Sequence, residues 1–479
     1  MQRAISRKNL WDRLPQRVRR TIGGALGLLP PALVLGKAFR RSLSFVRTAD
    51  RWSADRSREY VVAQLKRVCR LAQERTRYYR DTFSAVGFQP EDLKTVDDLA
   101  ALPTITRKTI HDRLDDMLTT DPRGSRVDGI ATGGTGGHPL HFYIGADRSA
   151  TEFAYLVAGW ERAGFRLGDT LALFRGRPVA PAPNGLRHEF DPLQRHHVYS
   201  TFHMSDRDLA GYVDHISNIG PCFLHVYPSS VDALARFIRR SGRPAPANIR
   251  GILAESEMVY PAQRTFAEDV LQCRYFSSYG HTEKIIAAAE CEFTRDYHVW
   301  PTYGYFEVLD FAGKPVTTPG QRGEIVGTGF INWVVPFIRY RTGDFATYVA
   351  DRCTQCKREH PIITDIRGHR VQEFLVATDG SLIPWTAVNV HDDTFAGVSR
   401  FQFHQSKPGV ATLRIIPANG RTDCDCKGIV DRLNRKLAGR VAITTEIVEA
   451  IPLSPRGKAI YVDQQVPGVD LATAAQTTP

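Results

Sequence analysis

Residues 206–228, DRDLAGYVDHISNIGPCFLHVYP, hold the alternation on which the fold turns. Apolar residues at helical spacing run to about residue 219, and a largely apolar run, with His225 inside it, follows between Pro221 and Pro228. The first pattern predicts an amphipathic helix, and the second a strand buried on both faces. The same texture extends outward. Residues 150–164 read as a helix, and TLALFRG (170–176) and RGILAESE (250–257) read as buried strands. Upstream, residues 50–80 carry Tyr60, Val61, Leu65, Val68 and Leu71 at helical spacing. Helices alternating with buried strands indicate a multidomain α/β architecture in a chain of 479 residues, too long for one core.

Downstream the texture changes. YGYFEVLD, GEIVGTGF, PFIRYRTGD and FATYVAD are strands joined by turns, predicting a β subdomain over about 300–365. After Gly368 come EFLVATDG, the stretch RFQFHQSKPGVATLRIIP, a helix around 424–438 and the strand AITTEIVEAIPL. These make a small α+β unit of ordinary domain size. The expected division is a basic arm over 1–48, a large α/β domain over 49–368, a small α+β domain over 369–463 and a tail over 464–479. No internal repeat is present.

Charge is unevenly spread. Residues 1–42 contain ten Lys/Arg against Asp12 alone, which is +9 of the total +12 and leaves +3 for the rest. A nearly neutral body argues against nucleic acid as a partner. The arm flanks an apolar run, 21–36, too short to span a bilayer and interrupted by Pro30-Pro31. Two readings stand: peripheral contact with an anionic inner membrane face, or a basic helix packed on the body. Eight cysteines in so long a chain do not form a secreted disulfide framework. A cytoplasmic location and metal ligation are expected instead.

The densest glycine cluster is Ala131-Thr132-Gly133-Gly134-Thr135-Gly136-Gly137-His138-Pro139-Leu140, followed by the strand-like LHFYIG. Such a loop can turn backbone N–H groups toward an anion, or can be a plain hairpin turn. No Gly-Lys-Ser/Thr follows, so it is not a Walker loop. Further on stand Tyr279-Gly280-His281-Thr282-Glu283, Tyr340-Arg341-Thr342-Gly343-Asp344 and Pro455-Arg456-Gly457-Lys458.

In this order the four motifs resemble the adenylate-forming superfamily of acyl-CoA synthetases, peptide-synthetase adenylation domains and luciferases. The resemblance covers about residues 55–463. It is strongest to the phenylacetate–CoA ligase-like branch and its CapK-type members, associated with capsular polysaccharide biosynthesis. It implies activation of a carboxylic acid by ATP and Mg²⁺ to an acyl-adenylate, then transfer to an acceptor. Thr132, Gly133, Gly134, Thr135, Gly136 and Gly137 would clamp the β- and γ-phosphates. Tyr279, beside Gly280, would stack on adenine, Thr282 would bond the α-phosphate, and Glu283 would hold Mg²⁺. Asp344 would accept both ribose hydroxyls, and Arg370 would reach the same ribose. Lys458 would neutralise charge as the carboxylate attacks the α-phosphorus. A hinge would lie at Gln372 and Glu373, where the family usually has Asp. Gly133, Gly136 and His138 replace the family's Ser, Thr and Lys, leaving fewer side-chain donors to phosphate.

Cys353-x-x-Cys356 and the upstream pair Cys291 and His298 could converge on a structural Zn²⁺, as in some phenylacetate–CoA ligase-like proteins. His360 competes for the fourth position, and free buried thiols are the alternative. His225, Tyr227 and Glu255 are candidates to line the acyl pocket. The acceptor is a sugar amine of surface polysaccharide assembly or coenzyme A. A third reading keeps the fold as a nucleotide-binding protein without turnover.

Overall fold

The computed structural model describes residues 22–24, 29–124, 126–132, 140–368, 373–390, 393–395, 397–417, 424–452 and 460–467. Its spine is a twelve-stranded sheet. Thr170–Phe174, Cys222–Val226, Ile249–Ala254 and Tyr275–Gly280 pair in parallel at its centre. All five residues of Cys222–Val226 are buried, as expected of a largely apolar strand whose two faces are both covered by helices. On one side His196–Tyr199 pairs in parallel with Thr170–Phe174, and His188–Asp191 closes that edge antiparallel.

On the other side the sheet changes character at one strand. The first half of Tyr275–Gly280 pairs in parallel with Ile249–Ala254, and its second half pairs antiparallel with Ala287–Glu290. Beyond it Tyr297–Val299, Ile362–Arg367, Tyr340–Ala350, Arg322–Gly329 and Gly304–Leu309 follow antiparallel. The strands expected over 300–365 are therefore the antiparallel continuation of the central sheet. PFIRYRTGD and FATYVAD contribute one long strand between them, Tyr340–Ala350.

The pattern over 50–80 becomes two helices, Ala54–Arg75 and Arg77–Ala85. Thr76 separates them. Its extended backbone ends the first helix, and its hydroxyl donates to Ala72 O while accepting from Tyr79 N–H. Helix Gly36–Ala49 buries Phe39, Leu43, Val46 and Ala49 in a cluster with Ala154, Tyr155 and Ala158 of helix Arg148–Arg162. The packed body thus reaches back to residue 36, inside the segment 1–48 taken as the basic arm, as the packed-helix reading of that arm expects. The apolar stripe at i, i+4, i+7 governs this segment more than its arginines do. No helix among the described residues is long and apolar enough to cross a membrane.

The C-terminal part has a separate four-stranded sheet, ordered Ala442–Ile447, Val410–Pro417, Val398–Lys407, Val462–Gln464. Helix Cys426–Leu437 packs Ile429, Leu433 and Leu437 on it. Phe202 and Tyr227 of the body enter this same core.

Candidate active site

The switch strand Tyr275–Gly280 ends in the YGHTE motif, so Tyr279 to Glu283 emerge at the carboxyl end of a central strand. In open α/β sheets ligands bind at that end. A cleft of about 690 Å³ opens there. It is bordered by Thr132, Glu255, Tyr279, Gly280, Thr282, Glu283 and Asp344, all singled out in the sequence.

Asp344 reaches the cleft through a bulge. Arg341 pairs with Val326 and Phe345 with Glu324, so the three residues Thr342–Asp344 oppose Ile325 alone. Gly343 takes φ +74°, which an L side chain rarely adopts, and its N–H donates to Glu324 Oε1 at 3.0 Å. The Thr342 hydroxyl donates to Ile325 O at 2.7 Å and accepts from Asp344 N–H at 3.1 Å. The carboxylate thus fixed accepts the Tyr279 hydroxyl at 2.8 Å.

Glu283 is 6% exposed. Its Oε1 accepts the Tyr340 hydroxyl at 3.2 Å and lies 4.0 Å from Arg107, while Oε2 lies 3.6 Å from His281 Nδ1. Burial opposes the charge on Arg107, but Tyr340 and Glu283 outweigh it and hold the guanidinium above its ordinary pKa. An oxygen with no hydrogen bond among the described residues, on a carboxylate facing a cleft, suits a hard cation.

A second charged group stands at the neighbouring strand ends. Neutral His225 donates from Nε2 to Glu255 Oε1, and Arg175 lies 3.5 Å from the same oxygen. Burial raises the Glu255 pKa, yet Arg175 and His225 outweigh it and hold the carboxyl down to about 2. Burial first, then Arg175, pushes His225 below the ordinary imidazole range. His225 is buried behind Glu255 and does not border the cleft. Tyr227 does not border it either. Its ring lies under Arg175 at 4.7 Å and joins the C-terminal core, because the strand turns into helix Pro228–Ser241 there. Leu156, Tyr155, Trp300 and Tyr303 form an apolar wall of the cleft. Tyr155 meets Trp300 and Tyr303 edge-on at 5.8 and 5.0 Å.

Thr132 is at the base of the glycine loop. Its N–H donates to Leu140 O at 3.0 Å, and its hydroxyl accepts from Leu140 N–H at 3.1 Å. The ribbon Val127–Ala131/His141–Gly145 ends in this clasp. Gly133, Gly134, Thr135, Gly136, Gly137, Arg370, Gln372 and Lys458 lie outside the described residues. Glu373 is described, and its Oε1 accepts Tyr461 N–H at 3.0 Å.

The sequence reading missed Arg107, Arg175 and Lys284, although all three border the cleft. Arg175 directly follows a central strand, a signal that could have exposed it. Arg107 opens a short helix after the Thr106 cap, with no motif around it.

Away from the cleft, Cys291, His298, Cys353 and Cys356 converge with one ligand atom from each within 4.8 Å of the others. All four are buried, and His298 Nε2 has no hydrogen-bond partner among the described residues. Three thiols and an imidazole fit a tetrahedral soft-to-borderline ion. His360 faces Asp50 at 3.8 Å instead.

No family model matches the chain. It is 27% identical to the phenylacetate-coenzyme A ligase of Pseudomonas putida over 61% of this chain and 66% of that protein, a little under two thirds of its length. It is 23% identical to Protein CapK of Staphylococcus aureus, over 76% of this chain and 80% of that one. The fold is like that of a 2-hydroxyisobutyryl-CoA ligase solved in the postadenylation state with an acyl-AMP. That match has a TM-score of 0.54 and 19% identity, covering 86% of this chain and 90% of that one.

Proposed function

We propose that the chain is an AMP-forming ligase of the adenylate-forming superfamily, on the branch of phenylacetate–CoA ligases and CapK, to which it is similar. It condenses a carboxylic acid with ATP to an acyl-adenylate, releases pyrophosphate, and passes the acyl group to coenzyme A. The observation that carries this reading is the meeting of Thr132, Tyr279, Glu283 and Asp344 around one cleft.

The roles are those the motif resemblance implies, and the placing of Tyr279, Glu283 and Asp344 on one cleft supports theirs. Asp344 is the ribose acceptor, held by the Gly343 bulge and by the Tyr279 hydroxyl. Tyr279 presents its ring to the adenine from the same anchor. A Cβ on Gly280 would meet protein only at an ordinary 3.7 Å, so close approach of a ligand is the better reason for glycine there. Thr282 bonds the α-phosphate. Glu283 holds Mg²⁺, which when bound neutralises the polyphosphate, and Arg107 and Tyr340 fix the carboxylate's direction. Thr132 clasps the ends of the loop Gly133–Gly137, whose backbone and Thr135 grip the outer phosphates. The acyl chain lies along Tyr155, Trp300 and Tyr303, and Glu255 with Arg175 borders that pocket. Lys458 neutralises charge at the α-phosphorus, Arg370 bonds the ribose, and Gln372 with Glu373 forms the hinge that withdraws Lys458 before the second step. Cys291, His298, Cys353 and Cys356 hold a structural zinc.

Carboxylate-dependent ATP–pyrophosphate exchange tests the first half-reaction. Exchange with some apolar or aromatic acid is expected, and Lys458→Ala should abolish it. Undiminished exchange in that variant, or none with any acid, removes the proposal. AMP release on adding coenzyme A tests the second half. Similarity to CapK over most of the chain favours one further reading, transfer to a sugar amine in polysaccharide assembly at the inner membrane face. Amino-sugar acceptors in the same assay decide between them.

A further inference from the structure

Three histidines meet at the outer edge of the twelve-stranded sheet, and none borders the cleft. In the edge hairpin His188 pairs with Tyr199, so His197, two residues back along the partner strand, shares a face with His188. Helix Asp206–Asn218 turns His215 toward both rings. The ring centroids of His215 lie 4.0 Å from His188 and 5.5 Å from His197. One nitrogen from each ring lies within 4.8 Å of the others. His188 Nε2 and His197 Nδ1 share a hydrogen bond of 2.9 Å, and His215 Nδ1 bonds the Tyr199 hydroxyl at 2.8 Å.

We infer that His188, His197 and His215 form a second metal site, for a divalent first-row transition ion with all-nitrogen ligation. Neutral imidazole is the preferred ligand of zinc, copper, nickel and cobalt. Tyr199 supplies the support such ligands use. With Nδ1–H donated to the tyrosine oxygen, His215 offers Nε2 as a lone pair of fixed direction. The proton between His188 Nε2 and His197 Nδ1 belongs to one of the two rings. Metal binding replaces that hydrogen bond, so the shared proton leaves the contact. An ion with metal–nitrogen bonds of about 2.0–2.1 Å holds tetrahedral nitrogens about 3.3 Å apart. The three nitrogens, now within 4.8 Å of one another, must draw together to reach that spacing. The site differs from the Cys/His cluster in having no thiolate.

The ion would fasten the edge hairpin to helix Asp206–Asn218. The chain leaving Tyr199 leads straight to Phe202, which lies in the C-terminal core and whose carbonyl accepts Arg440 Nε at 3.0 Å. Binding would therefore stiffen the segment on which the C-terminal part rests.

Full-length protein, its Cys/His cluster first saturated with Zn²⁺, is titrated with Co²⁺ and with Zn²⁺. One further equivalent per chain is expected, with visible cobalt bands and no added thiolate-to-cobalt charge-transfer band. His197→Gln and His215→Asn should each weaken this equivalent by at least about tenfold. In the wild-type chain, Zn²⁺ should protect His188, His197 and His215 from diethyl pyrocarbonate, read by mass spectrometry. That measurement locates the ion without relying on a variant that folds. Absence of a further equivalent, a thiolate spectrum, unchanged affinity in both folded variants, or no protection of these three rings overturns the inference.

Discussion

Asp344 owes its aim to a glycine. The positive φ at Gly343 creates the bulge that turns the carboxylate out of the strand and against Tyr279. Asp344→Asn keeps the size of the side chain but replaces one acceptor oxygen with a donor. It should raise the KM for ATP about tenfold or more, the loss of a charge-assisted bond worth about 1.5–3 kcal/mol, with the thermal midpoint nearly unchanged. Initial-rate exchange assays measure it. Glu373 gives a pH prediction. Burial pushes its carboxyl up to about 8, so the fold keeps a proton that the unfolded chain releases near pH 4.5. Native protein then binds more protons than unfolded protein between those values, and stability falls as pH rises from about 4.5 to 8. Glu373→Gln removes that fall. Its gain in denaturant midpoint over wild type should be larger at pH 8.5 than at pH 5, and an equal gain at both would refute the assignment.

At the scale of elements, helix Gly36–Ala49 is pinned at its C-terminal end by Asp50. Arg162 of helix Arg148–Arg162 reaches Asp50 Oδ1 at 2.8 Å, and Arg358 reaches Oδ2 at 2.6 Å. Burial works against the carboxylate, but Arg162, His360 and Arg358 outweigh it and hold Asp50 well below the usual range. A carboxyl depressed by folding stabilises above its unfolded pKa and loses that contribution as pH falls below about 4. Asp50→Asn leaves the Arg162 side chain, 2% exposed, facing no anion at that position. The expected cost is about 3–5 kcal/mol in denaturant unfolding at neutral pH. It should shrink in acid, where wild type loses the same charge. A cost below 1 kcal/mol would mean that helix Gly36–Ala49 is held by its apolar stripe alone.

Across the whole molecule, one sheet carries both kinds of strand, and the chemistry gathers where they change over. Tyr275–Gly280 is shared by the parallel and antiparallel halves, so its end receives Glu255 from one half and Asp344 from the other. The Cys/His cluster joins residues 291 and 298 to the turn at 353–356 and so links strands that are neighbours in the antiparallel half but remote along the chain. Purified protein should carry about one tightly held zinc per chain by metal analysis. Cys353→Ser should lose it and melt at lower temperature, because structural zinc contributes directly to folding. Retained zinc in that variant would assign the metal elsewhere.

Local sequence was sufficient for the alternation of helices and strands, for the four ordered motifs and for the cysteine pairs. Each is carried by a few consecutive residues whose periodicity or turn chemistry acts before any tertiary contact forms. The sequence alone left Tyr227 a candidate for the acyl pocket or for packing, and left the basic arm either on a membrane face or packed on the body. The assembled chain puts Tyr227 in the C-terminal core and packs Phe39, Leu43 and Val46 against helix Arg148–Arg162. Only the tertiary structure could bring Arg107 to Glu283, Arg175 to Glu255 and His215 to His188. Those pairs join residues far apart along the chain, and a lone arginine or histidine carries no local signal of the charge or ring it will meet.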